Sequence, residues 1–163
     1  MNNEMKMEFD AIAENESFAR MTVAAFVMSL NPTLEELSDI KTAVSEAVTN
    51  AIIHGYGNLH GYEKNKYQTK DEKINKGKVY MECKIVGDVL FVDIADKGAG
   101  IEDLEKAMEP LFTTKPELDR SGMGFAFMEA FMDDMEVESS PGKGTKIHMI
   151  KKIGATPWVY EGE

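Results

Sequence analysis

Met5, Met7, Phe9 and Ala11 alternate with Lys6, Glu8 and Asp10, the period of a half-buried strand. The period then lengthens. From Asn15 to Leu30, Phe18, Met21, Ala25 and Met28 recur at helical spacing and predict the apolar face of a helix, which Asn31-Pro32 ends. Thr33-x-x-Glu36 has the form of a capping box and opens a second, longer helix. Its stripe is Leu37, Ile40, Val44, Ala47, Val48 and Ala51, and Gly55 supplies the stop. Glu46, Asn50 and His54, spaced by four, share another face, because residues four apart stand one turn above each other. That helix has a core side and a candidate chemical side.

Periodicity lapses between Asn58 and Lys78, a polar, lysine-rich stretch that reads as a long loop inserted at about 58–78. Val79, Met81, Cys83 and Ile85 alternate, Gly87-Asp88 turns the chain, and Leu90, Val92 and Ile94 alternate again, predicting a hairpin that runs into Asp96. A short helix is expected over 103–108, then a loop with Pro110 and Pro116. A helix is expected over 124–133, with Met128, Phe131, Met132 and Met135 as packing residues. A last hairpin joins Val137–Ser139 to Thr145–Lys151 through Pro141-Gly142-Lys143-Gly144. The tail from Gly154 carries Trp158, to which the pattern assigns no place. Strands joined by short turns and interrupted by helices predict an α+β fold: a two-layer α/β sandwich with a mixed, mainly antiparallel sheet and helices on one face.

At 163 residues the chain is expected to be a single domain, 1–163. A net charge of -11 argues against direct contact with nucleic acid, which needs clustered Lys and Arg. The single cysteine, Cys83, excludes an intrachain disulfide and suits a reducing cytoplasm. No stretch approaches the roughly 20 apolar residues of a membrane helix, so no membrane association is expected. Arg20 and Arg120 are the only arginines among 18 basic residues, and their planar, bidentate donors make them the first candidates for phosphate or partner contacts.

Three motifs carry candidate chemistry. Asn50 offers an amide oxygen suited to Mg²⁺, and Glu46, one turn away, a carboxylate able to take a hydroxyl proton; a merely solvated helix face has the same spacing. Asp96-Lys97-Gly98-Ala99-Gly100 puts a carboxylate at a strand end beside side-chain-free backbone. There it can accept from an exocyclic amine such as that of adenine, or simply belong to a tight turn. Ser121-Gly122-Met123-Gly124 opens a helix whose free N–H groups suit phosphate. Before it, Thr113, Thr114, Lys115 and Arg120 fill a loop able to close over a triphosphate, or to act as an ordinary connection. The order of the three favours an ATP site built without a P-loop. Gly142-Lys143-Gly144-Thr145 lacks the first P-loop glycine, Gly98-x-Gly100-x-x-Asp103 lacks the third glycine of a dinucleotide fingerprint, and His54, His60, His148 and Cys83 have no zinc spacing.

These motifs resemble the N, G1 and G2 boxes of the Bergerat-fold ATPase and kinase superfamily. Within it, SEAVTNAIIHGY (45–56) and PLFTTKPELDRSGMGFAFME (110–129) are similar to the anti-sigma-F factor family. The resemblance implies a homodimeric, ATP- and Mg²⁺-dependent serine kinase that holds a sigma-F type sporulation factor in its ATP state and phosphorylates a serine of its anti-anti-sigma antagonist. By motif position it makes Glu46 the general base, Asn50 the Mg²⁺ ligand and Asp96 the adenine reader. Gly98, Gly100, Thr114, Lys115, Ser121, Gly122, Met123 and Gly124 would complete the nucleotide site, with Arg20 as a partner contact and Arg120 as a lid arginine that contacts the partner or senses the γ-phosphate. The segment between Gly57 and Val79 is longer than the family's, and Asp119 stands where Glu is common. The alternatives are a nucleotide-gated binding switch with little chemistry and an anti-sigma-B type kinase. The catalytic domain of a sensor histidine kinase is disfavoured, since no phosphoacceptor helix is expected in this chain.

Overall fold

The computed structural model describes residues 1–57, 77–109 and 124–154. β1 (Asn2–Asp10), β2 (Lys78–Val86), β3 (Val89–Asp96), β4 (Asp134–Ser140) and β5 (Gly144–Lys152) form one five-stranded sheet in the order β1-β2-β3-β5-β4. Every neighbouring pair is antiparallel, so the mixed sheet expected from the sequence contains no parallel pair among the described residues. The cause is local. β2–β3 and β4–β5 are hairpins with tight turns, and Gly87 supplies the positive φ of 65° that the first of them needs.

The helices are α1 (Glu14–Val27), α2 (Leu34–Asn50), α3 (Leu104–Ala107) and α4 (Gly124–Phe131). Val79, Met81, Cys83 and Ile85 of β2, Leu90, Val92 and Ile94 of β3, and Ile147 and Met149 of β5 are buried together with Ile40, Val44 and Val48 of α2. Each such aliphatic side chain contributes roughly 1.5–3 kcal/mol on leaving water. The alternate positions Lys6, Glu82, Asp93 and Lys146 form ion pairs on the opposite, polar face of the sheet. That alternation is what an antiparallel sheet covered on one side requires. Among the described residues no helix is long and apolar enough to cross a membrane.

α2 begins as the sequence predicts. Thr33 Oγ1 accepts from the N–H of Glu36 at 3.1 Å and Glu36 Oε2 accepts from the N–H of Thr33 at 2.8 Å, closing the capping box. Its α-helical bonding ends at Asn50 and a π-helical turn, Ala51–Gly55, follows before the chain leaves the helix.

The face predicted for the first helix is corrected. Phe18, Met21 and Met28 are about half exposed and Ala25 also faces solvent, whereas Ala19, Val23, Ala24 and Val27 are buried. α1 is apolar on two sides, and its small residues allow the close approach to α2 that bulky ones would prevent. Phe18 retains an edge-to-face contact with Phe9, 6.3 Å between ring centroids. Strand β4 begins at Asp134, three residues before the predicted start, because its acidic outward positions mask the alternation of Met135 and Val137. Most of the 58–78 loop, the 110–123 lid segment and Trp158 lie outside the described residues.

Candidate functional site

Asp96 closes β3, pairing with Thr145 of β5, and only 7% of its surface is exposed. Burial pushes its carboxyl pKa up to about 6, although the backbone N–H groups of Gly98, at 2.9 Å, and of Thr145 donate to it and favour the charged form. The loop after Asp96 is wedged in place. The N–H of Ala99 donates to the carbonyl oxygen of Gly55 at 2.8 Å, and the N–H of Gly142 to the carbonyl oxygen of Ala99 at 2.7 Å. A Cβ at position 98 would stand 2.0 Å from Gly55 O, so only glycine permits this approach. Gly100 has φ +71°, which also favours glycine.

A small cavity of about 50 Å³ opens between this loop, α2 and the start of α4. Ala51, Ile94, Ile147 and Phe125 supply apolar walls, and Asn50 and Asp96 stand among them as polar groups. A flat heterocycle with an exocyclic donor matches that lining: apolar faces for the ring and one carboxylate for the amine.

At the other side of the cavity α4 meets α2. A Cβ on Gly124 would lie 3.1 Å from Glu46 Oε2 and 3.4 Å from Asn50 Nδ2, so the glycine backbone rests directly on both side chains. Asn50 Nδ2 is buried and has no hydrogen-bond partner among the described residues. A buried amide without a partner costs free energy, and this one stands at the cavity wall. Of the predicted site residues, Asn50, Asp96 and Gly100 line the cavity, Glu46 and Gly124 meet beside Asn50, and Gly98 packs against Gly55. Thr114, Lys115, Arg120, Ser121, Gly122 and Met123 lie outside the described residues. Arg20 is elsewhere, on α1, 3.5 Å from Glu16 Oε1. Glu16 also accepts from the Ser45 hydroxyl, which ties α1 to the turn of α2 that carries Glu46.

Residues 9–151 match the family described as the histidine kinase-like ATPase domain. Curated relatives narrow this further. The anti-sigma F factor of Bacillus subtilis (strain 168) is 53% identical over 153 residues, 94% of each chain. The chain belongs to the anti-sigma-F factor family. The Clostridium acetobutylicum anti-sigma F factor is 54% identical over 154 residues, covering 94% of this chain and 96% of its own, and the Oceanobacillus iheyensis one 48% over 160 residues. In structure, the RsbU and RsbW domains of a Mycobacterium tuberculosis protein match 93% of this chain and 32% of that one, with TM-score 0.59 and 17% identity. The catalytic domain of histidine kinase ThkA covers 91% of this chain and 96% of its own, at TM-score 0.51 and 16% identity. These two matches show the shared fold. As a histidine kinase-like ATPase, the anti-sigma-F family member has an ATP-using, kinase-type domain.

Sequence reasoning missed one anchor of this site. Tyr56 is buried, its hydroxyl donates to the carbonyl oxygen of Lys78 at 2.6 Å and accepts from the N–H of Lys97 at 2.7 Å. It thereby fixes the residue after Asp96 to the start of β2. The only local signal was a tyrosine just past the glycine that ends the helix, which is too common to single out.

Proposed function

We propose that this chain is an anti-sigma factor and protein serine kinase: in its ATP state it binds and inhibits a sigma-F type factor, and it phosphorylates a serine of the anti-anti-sigma antagonist. The observation that carries the reading is the junction of Glu46, Asn50 and Gly124, where Asn50 lines the same cavity as Asp96. The names of its relatives support the sigma-factor half.

Asp96 accepts from the exocyclic amine of adenine while Ile94, Ile147 and Phe125 enclose the ring. Gly98 and Gly100 let the backbone approach the base, and Gly124, with Ser121, Gly122, Met123, Thr114 and Lys115, holds the phosphates. Asn50 would hold Mg²⁺: its buried Nδ2 has no hydrogen-bond partner among the described residues, and the amide oxygen and nitrogen exchange places by a simple flip. The ion, when bound, neutralises phosphate charge. Glu46 takes the proton from the antagonist's serine hydroxyl, whose oxygen bonds to the γ-phosphorus as the bond to the β-phosphate bridging oxygen breaks, giving phosphoserine and ADP. Arg20 and Arg120 contact the protein partners. The half-exposed row Phe18, Met21 and Met28 beside Arg20 on α1 supports a protein-binding surface there, for the partners or for the second copy of a homodimer. The chain works as one cytoplasmic domain, 1–163.

Nucleotide-gated capture tests this reading. Purified sigma-F type factor mixed with the protein should co-elute in ATP and Mg²⁺ and separate in ADP, with Asp96→Asn abolishing the difference. Equal capture with and without nucleotide would overturn it.

A further inference from the structure

Asp96 and Lys151 are the two buried charged side chains among the described residues. Asp96 belongs to the cavity; Lys151 lies at the far end of α4. Its Nζ donates to the carbonyl oxygen of Phe131, the last residue of α4, at 2.6 Å, and pairs with Asp39 Oδ2 of α2 at 3.1 Å. A cation here satisfies an orphan carbonyl and faces the negative end of the helix. The neighbouring backbone is stitched to the same strand, since the N–H of Asp133 donates to the carbonyl oxygen of Ile150 at 2.9 Å.

The spacing gives this arrangement its consequence. Gly124 and Phe131 are seven residues apart on α4, and Asp39 and Glu46 are seven residues apart on α2. At 1.5 Å per residue both spans are about 10.5 Å, so α4 lies along α2 pinned at its two ends. One pin is the bare glycine backbone on Glu46 and Asn50; the other is the Asp39–Lys151–Phe131 bridge. A short helix with a glycine at one contact has no side chain there to resist sliding. Its height against Glu46 is set by its other contacts, the buried Met128 in its middle and the Asp39–Lys151–Phe131 bridge at its far end.

We infer that Lys151 is a positioning residue for phosphoryl transfer: by clamping the C-terminal end of α4 to Asp39, it sets where Gly124 meets Glu46 and Asn50. This rests on the nucleotide site proposed above. It assigns Lys151 and Asp39 no contact with substrate, and it separates the phosphate end of the site, reached through α4, from the base end, built on β3.

The test compares ATP and AMP binding by calorimetry and serine transfer in the wild type, Lys151→Met, Lys151→Arg and Asp39→Asn. Displacing a reacting group by a fraction of an ångström is enough to lower ATP affinity and transfer in Lys151→Met by roughly tenfold or more. AMP affinity should hold, Asp39→Asn should show the same selective loss in smaller measure, and Lys151→Arg should recover most of the function. A purely structural role would lower the melting temperature and leave the ATP to AMP ratio unchanged. That unchanged ratio in folded Lys151→Met, or in Asp39→Asn where Lys151→Met does not fold, would overturn the inference. A wild type that binds no ATP would instead overturn the site itself.

Discussion

The N–H of Ala99 donates to the carbonyl oxygen of Gly55 at 2.8 Å, joining the loop after β3 to the π-helical turn after α2. Two segments whose bonded residues lie 44 positions apart thus meet backbone to backbone, with Gly98 at the contact. Gly98→Ala drives a Cβ to 2.0 Å from Gly55 O, a backbone atom that cannot rotate away. Overpacking of this kind costs about 1–3 kcal/mol or more. Both the melting temperature and ATP affinity should fall, as thermal unfolding and calorimetry would record; a variant with wild-type values in both would refute the wedge.

Gly124→Ala should separate chemistry from stability. Alanine favours a helix over glycine by about 1 kcal/mol, so the fold should tolerate it. Its Cβ would nevertheless stand 3.1 Å from Glu46 Oε2, so that carboxylate must shift by a few tenths of an ångström. Serine transfer should drop roughly tenfold or more while the melting temperature holds, a scale set by the sensitivity of transfer to small displacements.

Tyr56→Phe removes one hydroxyl and leaves two part-buried backbone groups, the carbonyl of Lys78 and the N–H of Lys97, without it. The expected cost is about 1–3 kcal/mol of stability, seen in urea denaturation, with weaker ATP binding because Lys97 follows Asp96. Unchanged stability would mean water replaces the hydroxyl.

Asp96 predicts a pH dependence with opposite signs for stability and binding. Its carboxyl pKa rises from 3.8 to about 6 in the fold. The group's contribution to stability is therefore fully present below pH 3.8 and lost as pH rises through about 6, a loss of about 3 kcal/mol. Binding needs the ionised acceptor, so ATP affinity should be full above pH 6 and fall by up to about tenfold per unit below it. Calorimetry from pH 5 to 7.5 should show this slope in the wild type and a weak, flat response in Asp96→Asn.

Local signals in the sequence carried through to the structure, and distant ones did not. The Thr33–Glu36 capping box and the β2–β3 hairpin depend on residues within a few positions of each other, so pattern alone located them. The order of Glu46–Asn50, Asp96–Gly100 and the glycine pair ending at Gly124 pointed to a candidate site, and in the fold Asn50, Asp96 and Gly100 line one cavity with Glu46 and Gly124 beside Asn50. The exposed face of α1 was misread because Ala19, Val23 and Val27 form a second apolar stripe whose small size fits it for packing. Tyr56 and Lys151 were invisible for another reason: the partners of Tyr56 lie 22 and 41 residues away, and Asp39 is 112 residues from Lys151. Only the folded sheet brings them together.

The central claim is that Glu46 acts on a hydroxyl at the γ-phosphate of ATP bound between α2 and α4. The most direct measurement is transfer of labelled γ-phosphate in Mg²⁺ to the anti-anti-sigma protein by wild type and Glu46→Ala, with ATP affinity measured on both. The account predicts serine phosphorylation by the wild type, and its loss in Glu46→Ala with ATP still bound. Transfer at the wild-type rate in Glu46→Ala, or none by the wild type despite bound ATP, would contradict it.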